Sequence, residues 1–204
     1  MGRLGVIGGT FDPPHVAHLM LAEQAREALG LDRVLFAPVG DPPHKEATRT
    51  PAALRLRMVE LAIADNPHFV LSRVDVDREG PHYTVDMLAL LRAQYPADTL
   101  YFLMGADSFE NLPTWGRARE LYRLPGTHLV VGRRLGAEAL PDAAMHRGVL
   151  DGLEDAVIVI DAPIAVSSTN IVARIRAGQS IRYVVPDAVR AFIETNGLYK
   201  DSEA

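Results

Sequence analysis

The sequence predicts an α/β protein: a doubly wound, mainly parallel sheet with helices on both faces. Three observations predict it. Strand-like and helix-like segments alternate along most of the 204 residues. The strand-like runs, such as Leu4-Gly5-Val6-Ile7 and Val157-Ile158-Val159-Ile160, are apolar throughout, as strands covered on both faces are. The first run also feeds a glycine turn and then a helix, which is how such a sheet builds an anion site.

Taken in order, a helix over 19–29 follows that turn. Residues 33–38 read as a strand ended by Pro38, and 40–50 as a loop rich in proline and charge. Pro51 starts a helix well, since its missing N–H would be unpaired there anyway. In that helix Leu54, Met58, Leu61 and Ala62 share one face. A strand is expected over 70–76, ending in Asp75-Val76-Asp77. Thr84 is expected to cap a helix reaching 91. A buried strand follows over 99–104, then a helical region over 105–124 broken by Pro113 and Trp115-Gly116. His128-Leu129-Val130-Val131 is a strand, 137–152 reads as helix or loop, and 157–160 is the last strand. Helices over 168–177 and 187–195 close the chain, with Gly178 and Gly197 as stop signals. Ligands bind such sheets beyond the carboxyl ends of the strands. Every candidate site residue follows a strand, so one shared cleft is expected.

Composition narrows the function. Apolar residues make up 48% and charged residues 23%, as in an ordinary globular protein. With no cysteine there is neither a disulfide framework nor a thiolate zinc site. A net charge of −5 opposes broad nucleic-acid binding, although local positive groups can still hold an anionic nucleotide. No signal-peptide pattern opens the chain, and no run approaches the roughly 20 apolar residues of a membrane helix. A cytoplasmic protein with no membrane or nucleic-acid partner is expected.

The chemistry concentrates in Gly8-Gly9-Thr10-Phe11-Asp12-Pro13-Pro14-His15-Val16-Ala17-His18. Gly8 and Gly9 permit a tight turn and close approach of a ligand. Asp12 before two prolines favours a turn. His15 and His18 share a face of a helix's first turn, and both can donate an N–H to phosphate oxygens. Two histidines with no third ligand fall short of a metal site. The stretch is neither G-x-G-x-x-G nor a P-loop. It resembles the G-G-x-F-D-P-x-H-x-G-H signature of the nucleotidylyltransferase superfamily, with Ala17 at the last glycine. The resemblance implies one Rossmann-like domain over 1–204, with a C-terminal helical segment of about 166–200 packed on it. It implies that Gly8, Gly9, Thr10 and Phe11 line an ATP site and that His15 and His18 act on the phosphates.

Further segments resemble those of bacterial nicotinate mononucleotide adenylyltransferases. Pro42-Pro43-His44-Lys45 is similar to their P-P-H-K loop, which implies that Lys45 brings a mobile charge to the phosphates and serves both catalysis and acceptor binding. Tyr83-Thr84-Val85-Asp86-Met87-Leu88 resembles Y-T-x-D-T-L, with Met87 at the second threonine. That segment implies that Thr84 opens a helix whose amides meet the acceptor's carboxylate. Gly105-Ala106-Asp107-Ser108 and Trp115 resemble the G-A-D-S and W segments, implying Asp107 on ribose hydroxyls and Trp115 against the pyridine ring. Val166-Ser167-Ser168-Thr169-Asn170-Ile171-Val172 resembles I-S-S-T-x-I-R, in which Ser167, Ser168 and Thr169 cradle ATP phosphates. Val172 stands at the motif's arginine. Either ATP affinity is weakened or Arg176, Arg133 or Arg134 compensates, and Arg133 is also assigned to the acceptor.

The resemblance thus implies transfer of AMP from ATP to nicotinate mononucleotide, giving nicotinate adenine dinucleotide and pyrophosphate. Mg²⁺ would arrive with ATP, without a protein metal site. The alternatives are a pantetheine-phosphate adenylyltransferase and a weakly catalytic nucleotide-binding module. A homo-oligomer is left open.

Overall fold

Strand β1 (Arg3–Gly9) lies inside a six-stranded sheet ordered β3-β2-β1-β4-β5-β6, with every neighbouring pair parallel. The computed structural model describes residues 1–40, 50–121, 123–133, 157–161 and 166–200. From β1 the chain passes through α1 (Val16–Leu29), β2 (Arg33–Pro38), α2 (Ala52–Ile63) and β3 (Phe69–Leu71) toward one edge. It returns through α3 (Thr84–Gln94) to β4 (Thr99–Gly105), beside β1. From there it runs through α4 (Ala106–Glu110), a 3-10 turn (Leu112–Thr114) and α5 (Ala118–Leu121) to β5 (Thr127–Arg133) and β6 (Val157–Asp161) at the other edge. Helices α6 (Ser168–Arg176) and α7 (Asp187–Thr195) follow. The strand order therefore reverses between β1 and β4, and a crevice opens at their carboxyl ends.

Alternation along the strands builds two cores. Ile7, Val34, Phe36, Tyr101, Leu103 and Val130 point to one face, where α1, α2, α6 and α7 cover them with Ala22, Val59, Ile171 and Val189. Leu4, Val6, Leu35, Phe102, Met104 and Val131 point to the other, under α3, α4 and α5. Ile181 and Val185, between α6 and α7, join the first core. The C-terminal segment is thus packed into the same apolar layer as α1 and α2.

Three expectations need correction. The third strand ends at Leu71, and 72–80 is not strand. Arg73 pairs with Asp77 and Arg78 with Asp75. These close-range ion pairs suit a turn, where a strand would hold their partners apart. Helix α2 is rotated from its predicted face: Leu54 and Leu61 are half-buried, while Arg55, Met58, Val59 and Ala62 are buried. Thr84 does not cap α3. It is the first helical residue, Tyr83 holds the cap position, and no side chain caps that end. The 137–152 segment and most of the 40–50 loop lie outside the described residues. No described helix is long and apolar enough to cross a membrane.

Candidate active site

The turn after β1 divides the site residues into two groups that meet at it. On one side, His15 is the N-cap of α1 and His18 lies one turn on. Their rings stack with centroids 3.7 Å apart and 16° between planes. The backbone N–H of His15 donates to His18 Nδ1 at 3.2 Å. That nitrogen is therefore an acceptor, and the proton of a neutral His18 sits on Nε2, pointing away from its own backbone partner. Phe11, at a positive φ of 52°, presents its ring edge-on to His18 at 5.0 Å. Phe11 is buried in the first core. It supports the histidine from behind.

His15 is almost fully buried, and its Nδ1 has no hydrogen-bond partner among the described residues. Burial pulls its pKa down to about 4, so the ring is neutral near pH 7. It can act as a hydrogen-bond donor there, but not as a cation. The expected free amides are partly used: Val16 N–H donates to Val184 O at 3.1 Å and His18 N–H to His15 O at 3.0 Å. The imidazoles are therefore the larger part of what α1 offers an anion.

Helix α6 brings the serine-rich motif to the same turn. Ser167 caps it, accepting from Asn170 N–H at 3.2 Å. Ser168 Oγ donates to Pro13 O at 2.9 Å, across 155 residues of chain. Helix geometry leaves the first N–H groups of α6 without intrahelical partners. Two helix starts thus converge on the turn: one carries imidazoles, the other hydroxyls and amides. Val172 is half-buried one turn further along. Arg174 is committed to Ser180 O at 2.9 Å, and Arg133 to Asp161 Oδ1 at 2.8 Å. Arg133, at the end of β5, is separate from the cavity wall.

On the other side of the turn lies a cavity of about 530 Å³. Gly8, Gly9 and Thr10 form its floor with Ala37 and Val39. Thr84, Asp107 and Trp115 stand around it, so three of the predicted acceptor residues meet in one space. His15, His18 and Ser167 to Thr169 do not line it. Among the described residues, those expected at the ATP phosphates stand outside this cavity, and Gly8, Gly9 and Thr10 of the glycine turn line it. Gly116 is needed for the cavity's shape: a Cβ there would stand 2.3 Å from Tyr83 Cε1. The Tyr83 ring can lie against the Gly116 backbone only because that residue has no side chain. Arg117 then pairs with both Asp86 and Glu120, tying the Trp115 segment to α3.

Several site residues had escaped the sequence reading. Asp75 and His82 are buried and line the cavity, with His82 Nδ1 3.5 Å from Asp75 Oδ1. Arg55 is buried behind the floor and donates to four backbone carbonyls. Asp12 accepts a hydrogen bond of 2.5 Å from the Tyr199 hydroxyl. Burial, then this bond, pushes the phenol's pKa up. The signal for Arg55 was available: it is three and four residues before Met58 and Val59, and so a charge on an apolar face. Asp12 gave no comparable signal, because its partner Tyr199 lies 187 residues along the chain. Lys45 and Arg134 lie outside the described residues.

Comparison with known proteins gives this arrangement its context. A family model described as cytidylyltransferase-like matches residues 6–174. The probable nicotinate-nucleotide adenylyltransferase of Thermomicrobium roseum is 46% identical over 206 residues, covering 100% of this chain and 94% of the relative. That of Exiguobacterium sibiricum is 43% identical, covering 97% and 98%. This chain belongs to the nicotinate-nucleotide adenylyltransferase family. It is therefore a nucleotidyltransferase. Among solved structures, the Plasmodium falciparum nicotinic acid mononucleotide adenylyltransferase complexed with NaAD matches with a TM-score of 0.76 over 98% of each chain, at 18% identity. The same enzyme complexed with APC matches with a TM-score of 0.74 at 17% identity. At that identity the likeness is one of fold. That enzyme and this chain thus share the Rossmann-like sheet seen here.

Proposed function

We propose that this enzyme transfers the adenylyl group of ATP to nicotinate mononucleotide, and that the glycine turn is where the two substrates meet. One observation carries the reading: the turn joins an aromatic-walled cavity to a phosphate cradle built from two helix starts. Trp115 offers a flat face to a pyridine ring, and Asp107 offers a carboxylate to ribose hydroxyls. Tyr83 and Thr84 line the cavity at the start of α3, whose first amides have no intrahelical partner and suit a carboxylate. His15, His18, Ser167, Ser168 and Thr169 would hold the triphosphate from the opposite side. Lys45 is assigned to the phosphates and Arg133 to the acceptor on the resemblance described above.

In the reaction a phosphate oxygen of the acceptor attacks the α-phosphorus. The bond from that phosphorus to the bridging oxygen breaks, and pyrophosphate leaves with the electron pair. No proton has to be removed from an ionised phosphate nucleophile. The protein's task is alignment and stabilisation of charge on the phosphoryl oxygens. The neutral His15 ring and the Nε2–H of His18 serve this by donating N–H bonds. Among the described residues no three His, Asp or Glu side chains gather to hold a metal ion. We assign Mg²⁺ to the triphosphate, where it would neutralise phosphate charge.

The test is pyrophosphate release by the purified enzyme with ATP and, in turn, nicotinate mononucleotide, nicotinamide mononucleotide and pantetheine phosphate. Turnover with nicotinate mononucleotide, lost in His18→Ala, is expected. Turnover only with pantetheine phosphate, or with no acceptor, would overturn the proposal.

A further inference from the structure

We propose that Arg55 is a positioning residue for adenylyl transfer: its buried guanidinium sets the distance between the loops after β1 and β2, and with it the alignment of the two substrates. The proposal rests on the reading just given. The β1–β2 ladder ends where Gly9 stands opposite Pro38, with one last bond from Val39 N–H to Gly9 O at 3.0 Å. Beyond that point the two loops present carbonyl oxygens, which cannot bond to each other. A single nitrogen of Arg55, Nη1, donates to both Thr10 O and Val39 O, each at 2.8 Å. Nη2 donates to Gly40 O at 2.8 Å, and Nε to Thr50 O at 3.2 Å. Thr10 and Val39 are both in the cavity floor. The guanidinium therefore continues, as a side chain, the strand pairing that the backbone can no longer make.

Stability alone does not ask for this residue. Arg55 is only 1% exposed, on the core face of α2 beside Met58 and Val59. A buried cation carries a desolvation cost of several kcal/mol, and apolar replacements of buried charges are often neutral or stabilising. Asp12 lies close enough to offset part of that cost electrostatically. What an apolar side chain cannot do is satisfy four carbonyls in one plane. Nor can lysine, whose three donors radiate from one atom on a flexible stem. The effect on chemistry follows because the loop after β1 runs on into His15 and His18, on the phosphate side, while the loop after β2 lines the acceptor cavity with Val39. Loosening their spacing leaves each substrate its own contacts but spoils the approach of acceptor oxygen to α-phosphorus, where a misplacement of about 1 Å can cost about a hundredfold.

The test compares the unsubstituted enzyme with Arg55→Lys and Arg55→Ala, assayed well below each variant's Tm with ATP and nicotinate mononucleotide. In Arg55→Lys, kcat is expected to fall about tenfold or more while both KM values stay within about threefold. In Arg55→Ala, low millimolar guanidinium is expected to restore part of kcat, and methylammonium is not. Circular dichroism on the same samples measures the folded fraction. If Arg55→Lys keeps the parental kcat, or if activity falls only in proportion to folded protein in both variants, the positioning role is overturned. If Arg55→Ala does not fold, Arg55→Lys alone decides. An unsubstituted enzyme with no turnover on this acceptor would instead overturn the functional reading, and this proposal with it.

Discussion

Acidification from pH 7 to pH 4 should remove about 3 kcal/mol of stability through His15 alone. The folded pKa is about 4 against an ordinary imidazole's 6.5, because the ring is buried and proton binding is penalised there. The sign follows from which state takes up the proton. Between those two values the unfolded chain binds a proton that the folded chain refuses, so stability is full above about 6.5 and falls with pH toward 4. At pH 4 the unfolded imidazole is almost fully charged and the folded one about half, which leaves the difference just given. Against a typical total of about 5–15 kcal/mol, that is a substantial share. Urea unfolding at pH 7, 5.5 and 4 measures it, with His15→Gln as the non-titrating reference. The parent should lose about 3 kcal/mol more than His15→Gln over this range. Parallel losses would refute the reasoning, as would an imidazole resonance of His15 titrating near 6.5 in the folded protein. The same argument predicts no inflection in activity from His15 between pH 6 and 8.

Three further outcomes are expected. Gly116→Ala places a Cβ 2.3 Å from the Tyr83 ring. It should raise the KM for nicotinate mononucleotide about tenfold or more while leaving that for ATP within about threefold, as steady-state kinetics would show. Tyr199→Phe removes the hydroxyl that bonds Asp12 at 2.5 Å, and chemical denaturation should register a loss of about 2 kcal/mol. Val172→Arg should lower the KM for ATP several-fold by returning a bidentate phosphate donor to the first turns of α6. An unchanged KM there would mean that another group already fills that role.

Much of the fold was legible because its signals are local. Continuous apolar runs marked strands covered on both faces, and β2 and α7 begin and end where the sequence placed them. The motifs at Gly8 to His18, Thr84, Asp107, Trp115 and Ser167 to Thr169 were legible because each is short and tied to a strand or helix end. Asp75 was misread because apolar residues at 70, 71, 74 and 76 resemble a strand, while the charges between them settle their pairing only after folding.

By itself, then, the sequence determined the order of elements, the parallel sheet and the residue types that can meet phosphates, since these follow from chain-local periodicity and turn chemistry. Tertiary structure alone decided that His15 is neutral, that Thr84, Asp107 and Trp115 meet around one cavity, and that Arg55 bridges two loops. Each of these depends on burial or on a partner far along the chain, and neither quantity exists until the helices close over the sheet.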